Sequence, residues 1–448
     1  MTSNTPQPAT FKPSGALSGK ISVPGDKSIS HRALIFSALA VGKSRITGLL
    51  EGEDVLATAD ALRAMGARIE KKDDVWTVHG VGVGGLMQPD AALEMGNSGT
   101  STRLLMGLIA SHAISATFIG DASLTKRPMG RVIEPLSQMG ADIRARETSD
   151  HKACLPLTVR GICPAIPIEY RLPVASAQVK SAILLAGLNT PGITRIIEPV
   201  LTRDHSETML KGFGAQISVT TDADGSRVIS LTGEAELKPQ KIKVPGDPSS
   251  AAFLAVAALI VPGSDILIEN VGINPTRAGL FEVLQNMGGA ISFKKQRTVG
   301  GEPVADIHVK HSLLTGIDVP AHIAPSMIDE FPVLFIAAAL ASGETTTRGL
   351  HELRVKESDR LSQMAKGLEL LGVKLTEKDD GLVIEGSGGK PLSGGRAKPV
   401  IETALDHRIA MSFAVAGLVT KGGLTIDDIQ PVETSFPGFD TLMKQLAS

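Results

Sequence analysis

The apolar positions of this chain fall into a pattern that repeats. An Ala/Leu-rich helical stretch runs into a Gly or Pro-Gly turn and then a β-branched strand, and SALAVGKSRITGL, GLNTPGITRIIEP, LIVPGSDILIENV and ALASGETTTRGL are four versions of it. A second, amphipathic helix then closes on a short phrase: MGARI at Met65, MGADI at Met139, FGAQI at Phe213, MGGAI at Met287 and LGVKL at Leu371. The glycine of that phrase suits the left-handed position just beyond a helix, where a side chain with a Cβ is strained. Alternating strands follow, as in ARIEKKDDVWTVHG, and turn back. The pattern predicts a unit of the form βαβαββ.

Spacing sets the number of units. Gly66, Gly140, Gly214, Gly288 and Gly372 stand 74, 74, 74 and 84 residues apart, and one further period lands at 446, so six units are expected. A period this long is unlike the common solenoids, which favours packing in threes around shared helices. The expected fold is therefore α/β and two-lobed, an inverse α/β barrel-like arrangement with three units per lobe. VPGD occurs at Val23–Asp26 and again at Val244–Asp247. That places crossings at both, with 24–243 as the first lobe and 1–23 plus 244–448 as the second, completed by the N-terminal strand. Two lobes joined by two strands would form a clam whose cleft closes on ligands. Met1 to Gly15, polar with three prolines, reads as a disordered tail.

Composition narrows the function. At 448 residues the chain exceeds one ordinary core, and 45 Lys and Arg against 47 Asp and Glu provide no field to gather nucleic acid or an anionic membrane. The longest apolar run, Ala251 to Val261, stops at Pro262 and Gly263, short of the roughly 20 residues a membrane span needs. Cys154 and Cys163 fit neither a disulfide framework nor a zinc site, and the N-terminus lacks the marks of a signal or transit peptide, so a cytoplasmic protein is expected.

Basic residues nevertheless gather in small, polar phrases. PGDKSISHR sets Lys27, Ser28 and Arg32 at a helix start, where backbone donors and two cations suit a phosphate or carboxylate; a solvated helix start is the plainer alternative. GNSGTSTR offers Asn97, Gly99, Thr100 and Arg103 on a backbone that a ligand can approach closely, unless it is an ordinary glycine turn. LTKRPMGR adds Arg127, ASAQVKS adds Ser176, Gln178 and Lys180, TRDHSE adds Arg203, and DHR adds Arg408. RVKESDR supplies Lys356, Glu357 and Arg360, or else forms an exposed, salt-bridged helix. In PSMIDEFPVL the carboxylates Asp329 and Glu330 interrupt an apolar approach to a helix, which suits a task or a partner; Asp329 as a helix cap is the alternative.

Two familiar motifs do not hold. Gly80, Gly82 and Gly85 match GxGxxG but precede Pro89 with no dinucleotide-binding unit, and the GKS at Gly42 lacks the earlier glycine of a P-loop, where Ser37 stands.

The phrases PGDKSISHR, GNSGT, KRPM, ASAQVKSA, RVKESDR, DHRIAM and TSFP, in this order and spacing, closely resemble the EPSP synthase (3-phosphoshikimate 1-carboxyvinyltransferase) family, over nearly the whole chain. The resemblance implies two lobes of three βαβαββ units and transfer of an enolpyruvyl group from phosphoenolpyruvate to 3-phosphoshikimate, with no metal or organic cofactor. It implies that Lys27, Ser28, Arg32, Ser176, Ala177, Gln178, Arg203, Asp329 and Lys356 hold 3-phosphoshikimate. Lys27, Asn97, Gly99, Arg127, Gln178, Arg360 and Arg408 would surround phosphoenolpyruvate, while Asp329, Lys356, Glu357 and Lys27 handle protons. A monomer is expected. Departures from many relatives are Ala177 in place of a second serine, Thr434 near a usual lysine and Arg203 in place of serine, pointing to a divergent subclass. Gly99 stands where insensitive members can carry alanine, so sensitivity to glyphosate is expected. The rivals are the related UDP-N-acetylglucosamine enolpyruvyl transferase, whose loop cysteine is missing near Lys126, and a non-catalytic phosphometabolite-binding protein.

Overall fold

A computed structural model of the chain describes residues 5–299, 301–393 and 398–447. They divide into two compact units: a first made of Gly25–Val244 with Val299–Gly301, and a second made of Met1–Pro24, Pro245–Thr298 and Glu302–Ser448.

The first unit repeats one sheet three times. Val41–Thr47 runs parallel to Lys241–Lys243 and antiparallel to Val75–Val81, which pairs in turn with Arg68–Lys72. The same order recurs in Leu93–Glu94, Ser115–Ile119, Ala153–Arg160 and Asp142–Glu147, and again in Glu169–Arg171, Ile193–Glu198, Arg227–Thr232 and Ile217–Thr221. A parallel pair needs a crossover, and the helices Gly99–Ala110 and Ala177–Leu188 supply it in the second and third sheets. These helices are apolar almost all round and buried accordingly, so they form the interior while the sheets keep one solvated face. Gly107 is what lets the two helices touch, because a Cβ there would lie 2.2 Å from the Ala182 carbonyl oxygen.

The second unit uses the same order. Ser18–Ser22 lies parallel to Asp265–Gly272, followed by Glu302–Lys310 and Ala290–Val299. Glu344–Thr346, Gly381–Glu385 and Lys374–Lys378 form the next sheet, extended by a parallel bridge between Asp318 and Thr346. The five recurring glycines do end helices: φ is 99° at Gly66, 103° at Gly140, 91° at Gly214, 92° at Gly288 and 77° at Gly372.

The sixth repeat departs from the others. Val400–Ile401 runs parallel to Leu424–Ile426, but the antiparallel neighbour is Ala9–Phe11. The expectation of a disordered N-terminal tail is therefore wrong over this stretch. Phe11 is buried, and Gly417 and Gly423 make room for it, since added Cβ atoms would stand 2.5 Å from its Cβ and 2.4 Å from its carbonyl oxygen. The available edge of Leu424–Ile426 and one buried ring order a segment whose composition is otherwise polar. No single helix among the described residues is long and apolar enough to cross a membrane; the apolar run forms the buried helix Pro248–Ile260.

Candidate functional site

Nearly all the residues singled out from the sequence stand at or beside helix N-termini. In the first unit Asp26 caps Lys27–Leu39 by accepting from Ile29 N at 2.8 Å, Ser98 caps Gly99–Ala110 through Ser101 N at 3.2 Å, and Ser176 caps Ala177–Leu188 through Val179 N at 3.4 Å. Such ends carry positive partial charge and suit anions. Lys27 pairs with the Asp54 carboxylate. Arg32 is buried and fixed by three acceptors: its Nε donates to Ser206 Oγ at 2.8 Å, Nη2 to Ser181 Oγ at 2.6 Å and Nη1 to the Ser28 carbonyl at 2.9 Å. Arg127 donates to Asn97 Oδ1. Gln178 donates to Thr100 Oγ1 at 3.1 Å and accepts from Arg103 Nη1 at 3.0 Å.

Asn97, Gly99, Arg127 and Gln178 are thus drawn together, and Arg103 joins them although the resemblance assigns it no substrate. A Cβ at Gly99 would lie 2.9 Å from Arg103 Nη1 and 3.0 Å from Arg127 Nη1, so glycine here keeps two guanidinium groups close to the backbone. Lys180 differs from Ser176 and Gln178 of ASAQVKS: it is fully buried, 2.9 Å from Glu198 Oε1 and 2.8 Å from Glu207 Oε1. Arg203 follows Thr202, whose amide and hydroxyl both donate to Glu198 Oε1.

Buried hydroxyls join the two anion-suited helix ends. His31 Nδ1 lies 2.7 Å from Thr58 Oγ1, Thr58 is 2.6 Å from Ser101 Oγ, and Ser101 is 2.5 Å from Ser98 Oγ and donates to the Asp54 carbonyl at 3.0 Å. Burial, then the charges of Lys27 and Arg32, push the His31 imidazole well below its ordinary 6.5. It stays neutral in the folded protein, whereas the unfolded chain binds a proton as pH falls through about 6.5. Stability contributed at this position is therefore complete above that value and is lost as pH falls from 6.5 toward the folded value, by up to about 1.4 kcal/mol per pH unit. Urea midpoints at pH 7.5 and 5.5 should fall less in His31→Asn than in the parent; equal losses would sink this reading.

The second unit has its own cluster. Asp406 caps His407–Gly417 by accepting from Arg408 N at 2.9 Å, and Asp359 caps Arg360–Leu370 through Ser362 N at 3.1 Å. Arg360, 1% exposed, meets three carboxylates: Nε lies 2.8 Å from Asp406 Oδ2, Nη2 is 2.5 Å from Glu357 Oε2, and Nη1 is 3.1 Å from Asp329 Oδ1. Burial opposes the guanidinium charge, but Asp406, Glu357 and Asp329 outweigh it and raise its pKa further above the ordinary value. Burial likewise opposes the Asp406 carboxylate, and Arg360 overrides that to hold it below the ordinary range. Lys356 Nζ stands 3.7 Å from Asp329 Oδ1, and Arg408 Nη1 donates to the Asp329 carbonyl at 2.9 Å.

The N-cap of the following helix Phe331–Leu340 is Glu330, which makes no side-chain cap bond, and Asp329, one residue earlier, accepts from Arg360. Glu330 is buried, accepts from Ser249, and lies 3.4 Å from Arg408 Nη1. Behind it sits buried Arg277, which donates to Ser249 Oγ at 2.7 Å and Asp247 Oδ1 at 3.1 Å. The sequence reading missed Arg277; its only signal was a cation in the loop phrase GINPTRAG. The exposed salt-bridge alternative for RVKESDR describes Arg354, 2.9 Å from both Asp359 and Glu377, but not Arg360.

Chemically the clusters differ. In the first unit Lys27, Arg32, Arg103 and Arg127 stand at or near helix N-termini, an arrangement that favours binding of anions. In the second, one guanidinium aligns carboxylates that can take or give protons.

Residues 11–443 match the family model described as EPSP synthase (3-phosphoshikimate 1-carboxyvinyltransferase). The chain belongs to this family. A relative from Sphingopyxis alaskensis named 3-phosphoshikimate 1-carboxyvinyltransferase is 66% identical over 447 residues, 100% of both chains. One of the same name from Novosphingobium aromaticivorans is 65% identical over 439 residues, 98% of this chain and 99% of its own. Among solved structures, an EPSP synthase from Acinetobacter baumannii superposes with a TM-score of 0.85 at 48% identity, covering 99% of this chain and 98% of that one. The repeated sheets are thus the EPSP synthase fold, as the phrases implied. The relatives' shared name favours the 3-phosphoshikimate reading over the UDP-N-acetylglucosamine rival.

Proposed function

We propose that this chain transfers the enolpyruvyl group of phosphoenolpyruvate to the 5-hydroxyl of 3-phosphoshikimate, releasing inorganic phosphate, on the route to chorismate and the aromatic amino acids. It does so as a cytoplasmic monomer without a metal or organic cofactor. The observation that supports this most is the buried Arg360 guanidinium holding Asp329 and Glu357, to which the resemblance assigns proton transfer, in one hydrogen-bonded group.

Each phosphate carries about -1.5 to -2 charge near neutral pH, and both substrates also bear a carboxylate. Unit charges ~5 Å apart at an effective dielectric of ~20 repel by roughly 3 kcal/mol, so joint binding needs intervening cations. By this reading Lys27, Ser28, Arg32, Ser176, the Ala177 amide, Gln178, Arg203, Asp329 and Lys356 serve 3-phosphoshikimate. Lys27, Asn97, Gly99, Arg127, Gln178, Arg360 and Arg408 serve phosphoenolpyruvate. Asp329 takes the 5-hydroxyl proton as that oxygen bonds to C2, while C3 gains a proton from Lys27 or Glu357. The resulting adduct loses a C3 proton and its phosphate, which restores the double bond. Bidentate arginines stabilise the departing phosphate. Gly99 leaves the space that alanine would fill, so glyphosate should inhibit.

Calorimetry with 3-phosphoshikimate, paired with an assay of phosphate released from phosphoenolpyruvate, tests the proposal. Binding followed by release is expected. Release only with UDP-N-acetylglucosamine would select the rival acceptor, and binding with no release would select the non-catalytic reading.

A further inference from the structure

We infer that Lys180 is a positioning residue for 3-phosphoshikimate, its buried ammonium fixing the segments that carry Arg32's serine acceptors and Arg203. The inference rests on the reading that Arg32 and Arg203 hold that substrate. Lys180 lies in the first turn of Ala177–Leu188 among buried Val179, Ala182 and Ile183, where an apolar side chain would pack at least as well. Lysine and glutamate are rarely buried without a partner, and a buried ion pair seldom stabilises a fold beyond what an apolar replacement gives. Stability alone therefore does not account for the charge.

Its contacts do. Nζ lies 2.9 Å from Glu198 Oε1 and 2.8 Å from Glu207 Oε1, and Glu198 Oε2 is 3.9 Å from Arg227. Glu198 ends the strand Ile193–Glu198 and accepts from the Thr202 amide at 3.1 Å and hydroxyl at 2.5 Å, so the segment immediately before Arg203 is tied to the ammonium. Glu207 belongs to the first turn of His205–Gly212, beside Ser206. Ser206 accepts from Arg32 Nε at 2.8 Å, and Ser181, next to Lys180, accepts from Nη2 at 2.6 Å. The two serine hydroxyls are 2.7 Å apart. The Lys180–Glu207 pair thereby sets the separation of the acceptors that aim the Arg32 guanidinium. Ser176, Ala177 and Gln178 lie on the same helix start.

The test is steady-state kinetics on the full chain carrying Lys180→Met together with Glu207→Gln, which leaves Glu198 facing Arg227 and no surplus buried carboxylate. KM for 3-phosphoshikimate should rise about tenfold or more, while kcat and KM for phosphoenolpyruvate stay within about threefold and the melting temperature within a few degrees. Thr202→Val, which removes only the hydroxyl bond to Glu198, should move the same KM in the same direction by a smaller factor. Arg32→Ala and Arg203→Ala serve as references. If they raise that KM while the Lys180 and Thr202 variants leave it unchanged, positioning by Lys180 is overturned and the substrate assignment stands. If the arginine variants leave it unchanged, the substrate assignment fails and the inference falls with it.

Discussion

Asp329→Asn is expected to lower kcat by about 10²–10⁴-fold, the usual range for removing a positioned general base, while 3-phosphoshikimate still binds within about tenfold of the parent affinity. The asparagine side chain has nearly the same shape and can still accept from Arg360 Nη1, which lies 3.1 Å from Asp329 Oδ1. It cannot take up the proton that the 5-hydroxyl must lose. Backbone support is unaffected, because Arg408 donates to the Asp329 carbonyl and not to its carboxylate. Binding and chemistry are therefore separable at this residue. Single-turnover kinetics with calorimetric affinities would show the split, and near-normal turnover in a variant that binds substrate would remove Asp329 from the role of base.

What the sequence made visible follows from how local each rule is. The helix-ending glycines were legible because a positive φ is a one-residue demand, met at Gly66, Gly140, Gly214, Gly288 and Gly372. Helix starts rich in small polar residues were legible because a cap spans only two or three residues, as Asp26 to Ile29 and Asp406 to Arg408 do. Features set by distant partners were not. Phe11 is ordered by residues near 417 and 424, and Arg277 by Asp247 and Ser249, in elements the local pattern cannot pair. Lys180 looked like one more cation at a helix start, yet residue spacing does not say which way a first-turn side chain points. Glu198 and Glu207 decide that, from a strand end and a helix start farther along. The same limit applied to Asp329 and Arg360, whose mutual hydrogen bond spans 31 residues.

Removing the Arg360 guanidinium should have the largest effect on stability. Arg360→Met leaves the buried Asp406 carboxylate and its neighbours Glu357 and Asp329 without the cation they share, and breaking a buried pair from one side costs about 3–5 kcal/mol. The pH dependence has a definite sign. Asp406 is held below its ordinary 3.8 in the fold, so the stability from its pairing is present above that value and lost as pH falls through the lower folded value. In Arg360→Met the three carboxylates instead repel one another, and protonation relieves them, so the deficit relative to the parent should be greatest near pH 7.5 and shrink toward pH 4.5. Arg360→Lys should lie between, since one ammonium keeps the charge but lacks the fork that reaches three carboxylates. Adding Asp406→Asn to Arg360→Met should recover part of the loss, because the most buried orphan charge is gone. Urea denaturation of the four proteins at both pH values measures this. A deficit in Arg360→Met that does not shrink in acid would mean that side-chain packing, rather than charge, is what Arg360 contributes to the second unit.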